Sequence, residues 1–117
     1  MRPYLTPTEA AALTGVTLRT LERQVDAGAL PVLHLSRRLR RIEAWAVLVD
    51  APPILPGAPR VLDVAWLAAC LGVPAAAICG AIRAHQLPAR RVGGRWQMRR
   101  ADVYDWLHAN TTGGIHE

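Results

Sequence analysis

The chain has no lysine: all 14 of its basic residues are arginine, set against nine acids among 117 residues, for a formal net charge of +5 and a pI near 10.6. A genome rich in G and C favours arginine codons and explains much of that absence. The chemical result is the same either way, because every cation carries a planar fork of donors suited to phosphates and guanine edges. Cysteine is scarce. Cys70 and Cys79 form no CxxC pair and have no histidine at zinc spacing, so they read as reduced residues packed as small hydrophobes. No apolar run approaches the ~20 residues of a membrane span. The start, Met1-Arg2-Pro3-Tyr4, lacks the apolar stretch of a signal peptide, so a cytoplasmic location with no membrane contact is expected. No nucleophile–base set, paired carboxylates, phosphate-cradling loop or metal cluster is visible, so no enzyme, cofactor or metal is expected. With 51% hydrophobic and 20% charged residues the composition is that of a folded chain, long enough for one ordinary domain or two very small ones.

What is present is a repeat. Shifted by 57 positions, the segment from Tyr4 to Arg38 aligns without a gap on Val61 to Arg95. Gly15-Val16 falls on Gly72-Val73, Leu30-Pro31 on Leu87-Pro88, Leu5 on Leu62 and Arg38 on Arg95. Alanine coincidences are cheap in so alanine-rich a chain; the Gly-Val and Leu-Pro pairs at one offset are not. Between the copies, Ala51 to Pro59 holds four prolines in nine residues, which excludes a helix or a central strand. The expected organisation is a domain over 1–50, a proline-rich linker over 51–60, a second domain over 61–109, and a frayed tail over 110–117.

Each copy reads as helix, turn, helix, hairpin, helix. Thr6-Pro7-Thr8-Glu9 is a capping box with proline at the first helical position, and that helix is expected to end near Leu13. Gly15 suits a tight corner, Thr17 caps a second helix, and Gly28 follows its end near Ala27. Leu13, Val16, Leu21 and Val25 give an inward stripe. Strands over Val32–Leu35 and Leu39–Ile42 flank a turn, and a third helix is expected over Glu43–Val49 with Trp45 and Leu48 in the core. In the second copy Asp63 caps, Gly72 turns, Pro74 opens the second helix, Gly93-Gly94 marks a hairpin, and Ala101–His108 forms the last helix. The second hairpin is expected to be about two residues longer than the first. Trp106 is assigned to the core with Trp45. The four histidines, His34, His85, His108 and His116, have no ligand-spaced partners and default to surface or satisfied positions.

The fold class that follows is mainly α with small β-hairpin wings, as two tandem winged helix-turn-helix domains. The stretch LTPTEAAALTGVTLRTLERQVDAGALP with the basic hairpin after it resembles the excisionase family of winged helix-turn-helix proteins, related to MerR-type regulators. The second copy is similar at Leu87-Pro88, Gly93-Gly94-Arg95 and Arg100-Ala101-Asp102. The resemblance implies double-stranded DNA as the partner, with the second helix in the major groove and the wing in the minor groove.

On that reading the DNA-facing residues of the first helix pair are Thr17, Arg19, Thr20, Arg23 and Gln24, with Arg37, Arg38 and Arg40 on its wing. Arg41 and Arg100 belong either to the wings or to the starts of the third helices. The second unit offers Arg83, Arg90, Arg91, Arg95 and Arg99. Its second helix carries Ala75, Ala76, Ala77, Gly80 and Ala81 where the first has polar groups, which suggests a division of labour. The first unit would read sequence, and the second would grip backbone and minor groove. An apolar face packed on a partner protein, and a simple close-packed core, are the alternatives for that alanine-rich helix. The function expected is a transcriptional regulator or an excisionase-like recombination directionality factor. A protein-interaction module for a recombinase or RNA polymerase is the competing class. Two arrangements stay open: domains on an extended tether of roughly 28 Å facing grooves ~34 Å apart, or a rigid pseudo-dimer. The chain would act as a monomer with two DNA-binding units, or one that self-associates weakly on DNA.

Overall fold

The computed structural model describes residues 3–36, 39–44 and 58–112. Strand β1 (Tyr4–Leu5) leads into α1 (Pro7–Thr14), α2 (Leu18–Asp26), β2 (Val32–His34) and β3 (Arg40–Glu43). The second half runs β4 (Val61–Asp63), α3 (Val64–Leu71), α4 (Ala75–Arg83), β5 (Arg90–Val92), β6 (Arg95–Arg99), α5 (Arg100–Ala109) and β7 (Thr111–Thr112).

Local chemistry sets these boundaries. The Thr6 hydroxyl accepts from the Glu9 amide while Glu9 Oε1 accepts from the Thr6 amide, closing the capping box. The Asp63 carboxylate does the first of these jobs for α3, accepting from the Trp66 amide at 2.7 Å. Both helices end at a glycine in the left-handed region, Gly15 at φ 73° and Gly72 at φ 65°, where a Cβ would be strained. The chain then turns at once into the next helix.

The two halves repeat at the level of single backbone hydrogen bonds. Val16 N–H donates to Ala11 and Val73 to Ala68; Ala29 donates to Gln24 and Gln86 to Ala81. After the hairpins, Ala44 donates to Pro3 and Arg100 to Arg60, both at 2.8 Å. Gly28 (φ 75°) and His85 (φ 59°) occupy the same left-handed position after their helices, and His85 is the one non-glycine among the described residues with positive φ.

Two antiparallel sheets result, ordered β1-β3-β2-β7 and β4-β6-β5. Register shows how they differ. In the first sheet Leu5 pairs with Ile42 and Val32 with Ile42, so these three share a face, and it packs with Ala10, Ala11 and Leu21 into one core. The opposite face carries the pairs Tyr4–Glu43 and Leu33–Arg41, all four residues buried. Tyr4 and Leu33 belong to the second core, with Leu62, Leu67, Leu71, Met98 and Trp106. The first sheet is therefore covered on both faces, by its own helices and by the second half of the chain.

Several expectations change. The stretch after Ala109 is not a frayed tail through Thr112: Thr111 and Thr112 add a strand to the outer edge of β2, opposite Leu33 and Val32. Asn110 Nδ2 and the Thr111 hydroxyl bond back to the Trp106 and Leu107 carbonyls, which turns the chain out of α5. The paired edge of β2 satisfies backbone groups a free edge would leave open. Leu13, expected inside, is 49% exposed; Ala10 and Ala11 fill the inner face of α1 instead. Ala81, expected on the outer face of α4, is buried with Ile78 and Ile82. Glu43 does not start a helix; it ends β3, held by its pairing with Tyr4. The first hairpin, not the second, is the longer one: Leu33 pairs with Arg41 eight positions on, whereas Arg90 pairs with Gln97 seven positions on. The expected helix core residues Trp45 and Leu48, most of the linker, Arg37, Arg38 and His116 lie outside the described residues. No single helix among the described residues is long and apolar enough to cross a membrane.

Candidate nucleic-acid interface

Helix α2 is built to turn one polar face outward. Leu21 is buried, Val25 is half-buried, and Arg19, Thr20, Arg23 and Gln24 are all exposed. Arg19, Thr20 and Arg23 share the side away from Leu21, because residues three to four apart stack on one helix face. Thr17 caps the helix, and its oxygen accepts from the Thr20 amide at 3.1 Å, with the two hydroxyls 3.0 Å apart. Arg19, Thr20 and Arg23 thus form one patch along α2, with Gln24 exposed at its flank and Thr17 holding the start of the helix in place.

The first hairpin contributes less to that patch than its arginine count suggests. Arg40 is half-buried and lies 3.8 Å from Glu22 of α2, an ion pair that ties hairpin to helix. Exposed pairs of this kind are worth at most about 1 kcal/mol, so Arg40 remains available to exchange partners. Arg41 turns the other way. Its Nε donates to the Leu71 carbonyl at 3.1 Å and its Nη2 to the Gly72 carbonyl at 2.6 Å. A cation is favoured at the carbonyl end of a helix, and here it caps α3 from the neighbouring half of the chain. Arg41 is a structural bridge, and the alternation of the strand places it opposite Ile42.

In the second half, α4 presents Ala75, Ala76, Gly80 and Arg83 to solvent. Its N-cap, Pro74, supplies no side-chain hydrogen bond. The hairpin turns through Gly93 (φ 57°) and Gly94 (φ 78°), both left-handed, as a tight two-residue connection between twisted strands requires. Arg90, Arg91, Arg95 and Arg99 are all exposed on it, but not on one face. Arg90, Arg95 and Arg99 share the outer face with Val61 and Gln97. Arg91 pairs with Trp96 on the helix side, its guanidinium 5.3 Å from the ring centroid. That cation–π contact fixes the arginine while leaving its outer edge free to donate. Arg100, at the start of α5, bonds the Ala58 carbonyl at 2.9 Å, so it supports the helix start.

Sequence reasoning missed Arg41 as a bridge and missed β7. The signal for Arg41 was its place on the strand face opposite Ile42; for β7 there was only a pair of β-branched threonines. Trp106 is buried, with its indole nitrogen unpartnered among the described residues. Burial holds the Cys70 thiol pKa above its usual value. No group of three or more His, Cys, Asp or Glu among the described residues is placed to hold a metal.

A helix pair closed at a left-handed glycine and followed by a basic hairpin defines a helix-turn-helix unit. Residues 61–111 match the family model described as a helix-turn-helix domain, spanning β4 to the first residue of β7. No curated protein and no solved structure gives a significant match to the chain.

Proposed function

We infer that the protein binds double-stranded DNA through two helix-turn-helix units, the first reading sequence with α2 and the second holding the backbone and minor groove with its hairpin. The observation that carries this reading is the contrast between the two equivalent helices. Helix α2 exposes Arg19, Thr20, Arg23 and Gln24, which match the donor and acceptor patterns of base edges, whereas α4 exposes alanines, a glycine and a single arginine, Arg83, in its last turn. The second unit's polar chemistry sits instead on the hairpin, with Arg95 beside the Gly93-Gly94 tip. The shared core and the β2–β7 pairing favour a rigid pseudo-dimer over an extended tether. The resemblance to excisionases supports a role in transcription regulation or in directing a recombinase, and a cytoplasmic location with no catalysis of its own goes with that reading. The α4 face also suits a recombinase or polymerase partner, and its lack of base-reading groups favours that second role.

The test is selection of bound sites from random duplex DNA with the full chain, the double variant Arg19→Ala/Arg23→Ala, and Arg95→Ala. The expected result is a defined motif for the full chain, a relaxed motif for the double variant, and the same motif at lower affinity for Arg95→Ala. Equal loss of specificity in both variants would refute the division of labour. No retained DNA at modest salt would refute DNA binding and leave the interaction module.

A further inference from the structure

The joint between the two halves of the chain is asymmetric, and among the described residues both of its surfaces occur a second time with no partner. In the joint, the outer face of the first sheet (Tyr4, Leu33, Arg41, Glu43) receives the second half, with Arg41 bonding the α3–α4 corner at Leu71 and Gly72. The equivalent positions on the second sheet are Val61, Arg90, Gln97 and Arg99, on a face they share with Asp63, Val92 and Arg95, and all seven are exposed. Val61 there is 49% exposed, where its counterpart Tyr4 is 1% exposed. A shallow pocket of about 340 Å³ lies against this face, reaching Pro88 and Asp102 at its margin. The equivalent of the docked corner is Thr14-Gly15, between α1 and α2, and it is also exposed. It is flanked by Leu13 and Leu18, at 49% and 40% exposure.

We propose that a second copy of this chain docks its α1–α2 corner on the open face of the second sheet, extending the internal joint from one molecule to the next. The argument is continuity with an interface the chain already makes. The receiving face carries apolar Val61 and the donors Arg90, Gln97 and Arg99, of which Gln97 stands where Arg41 stands in the joint. The incoming corner brings Leu13, Leu18 and the C-terminal carbonyls of α1, which call for donors of this kind. Thr14, in place of the buried Leu71, makes it a smaller and weaker anchor than the internal one. Such contacts are heterologous: each molecule offers two different surfaces, so association is head to tail and does not close at two copies. The contact leaves the Gly93-Gly94 tip and Arg19 and Arg23 of α2 uncovered, but it takes in Arg90 and Arg99 of the hairpin proposed to hold DNA, so the two associations share those arginines.

Sedimentation velocity without DNA tests it, over a concentration series to about 1 mM, the range that reveals small interfaces. The full chain is expected to exceed the 12.7 kDa monomer mass progressively rather than stop at a dimer. Leu13→Glu blocks one surface and Val61→Glu the other; both sites are half-exposed, and a thermal melt checks that each variant folds. Each variant alone is expected to be monomeric, with association weakened by about tenfold or more. An equimolar mixture of the two is expected to form a one-to-one dimer, because each retains the surface the other lacks. A full chain that stays monomeric to about 1 mM, association that survives both substitutions, or a mixture that fails to dimerise would overturn the proposal.

Discussion

The guanidinium of Arg41 donates to the carbonyl oxygen of Gly72 across 2.6 Å, joining a hairpin of the first half to the helix corner of the second. With its bond to Leu71 it satisfies carbonyls at the end of α3 that have no partner within the helix. Replacing Arg41 with alanine leaves those buried and part-buried acceptors without their donor. Hydrogen bonds to charged groups are worth about 1.5–3 kcal/mol each, so Arg41→Ala, which removes two, is expected to lower unfolding stability by about 3–6 kcal/mol. Urea denaturation followed by tryptophan fluorescence measures it. A loss below about 1 kcal/mol would mean that the bridge contributes no more than an ordinary neutral hydrogen bond.

Strand β7 supplies the second tie. The His34 amide donates to the Asn110 carbonyl at 2.8 Å, and His34 Nε2 lies 2.8 Å from the Thr112 hydroxyl. A chain ending at Ala109 can form neither bond. The expected outcome is hydrogen exchange at the His34 amide accelerated to near the rate of exposed loops, with amides of α3 still protected. Unchanged exchange at His34 would show that β7 does not hold the edge of β2.

His85 holds φ 59° where the first half has Gly28. A side chain in the left-handed region costs about 1 kcal/mol relative to glycine, so His85→Gly is expected to raise stability by about 0.5–1 kcal/mol. Gly28→Ala is expected to lower it by a similar amount, and the urea midpoint reads both. The same sign for both would contradict the equivalence of the two positions.

Tyr4 is buried beside Glu43, and burial first, then the carboxylate, holds its hydroxyl pKa well above the ordinary tyrosine value. A raised pKa in the folded state means stability that is complete below about pH 10, where the unfolded tyrosine begins to ionise, and declines as pH rises beyond it. Cys70 acts in the same direction, so the informative quantity is a difference. Tyr4→Phe is expected to lose stability less steeply than the parent chain between about pH 9.5 and 11, a window that brackets the ordinary tyrosine value. Parallel curves would remove Tyr4 from the alkaline response.

For DNA binding, removing one phosphate-binding group should reduce the slope of log affinity against log salt by about 0.9. Arg95→Ala is expected to do so without changing the ratio of specific to non-specific affinity. Fluorescence anisotropy across a salt series on two duplexes measures both; an unaltered slope would take Arg95 off the backbone.

The caps, corners and hairpin turn were legible because they depend on residues within four positions of one another: Thr6 with Glu9, Asp63 with Trp66, Gly15, Gly72, and Gly93 with Gly94. The polar face of α2 was legible for the same reason, since helical spacing alone separates Arg19 and Arg23 from Leu21. What escaped depends on partners distant in sequence. Nothing near Arg41 announces that a helix end 30 residues later will receive it, and nothing near Thr111 announces β2. Sequence set Arg41 apart from Arg37, Arg38 and Arg40 only as a wing or helix-start residue, yet Arg41 is drawn inward by the Leu71 and Gly72 carbonyls. The exposure of Leu13 was misjudged because helical spacing says which residues align, not which of the aligned faces turns to the sheet; here that face carries Ala10 and Ala11.

Because the final strand completes the sheet begun by the opening residues, the half made first on the ribosome must wait for the half made last. Until the second half has emerged, Tyr4, Leu33 and Arg41 have nothing to bury against, and until Thr112 follows, β2 has an open side. Cutting the chain at its proline-rich middle would not yield two working pieces, and anything fused after Thr112 begins at the border of the N-terminal sheet.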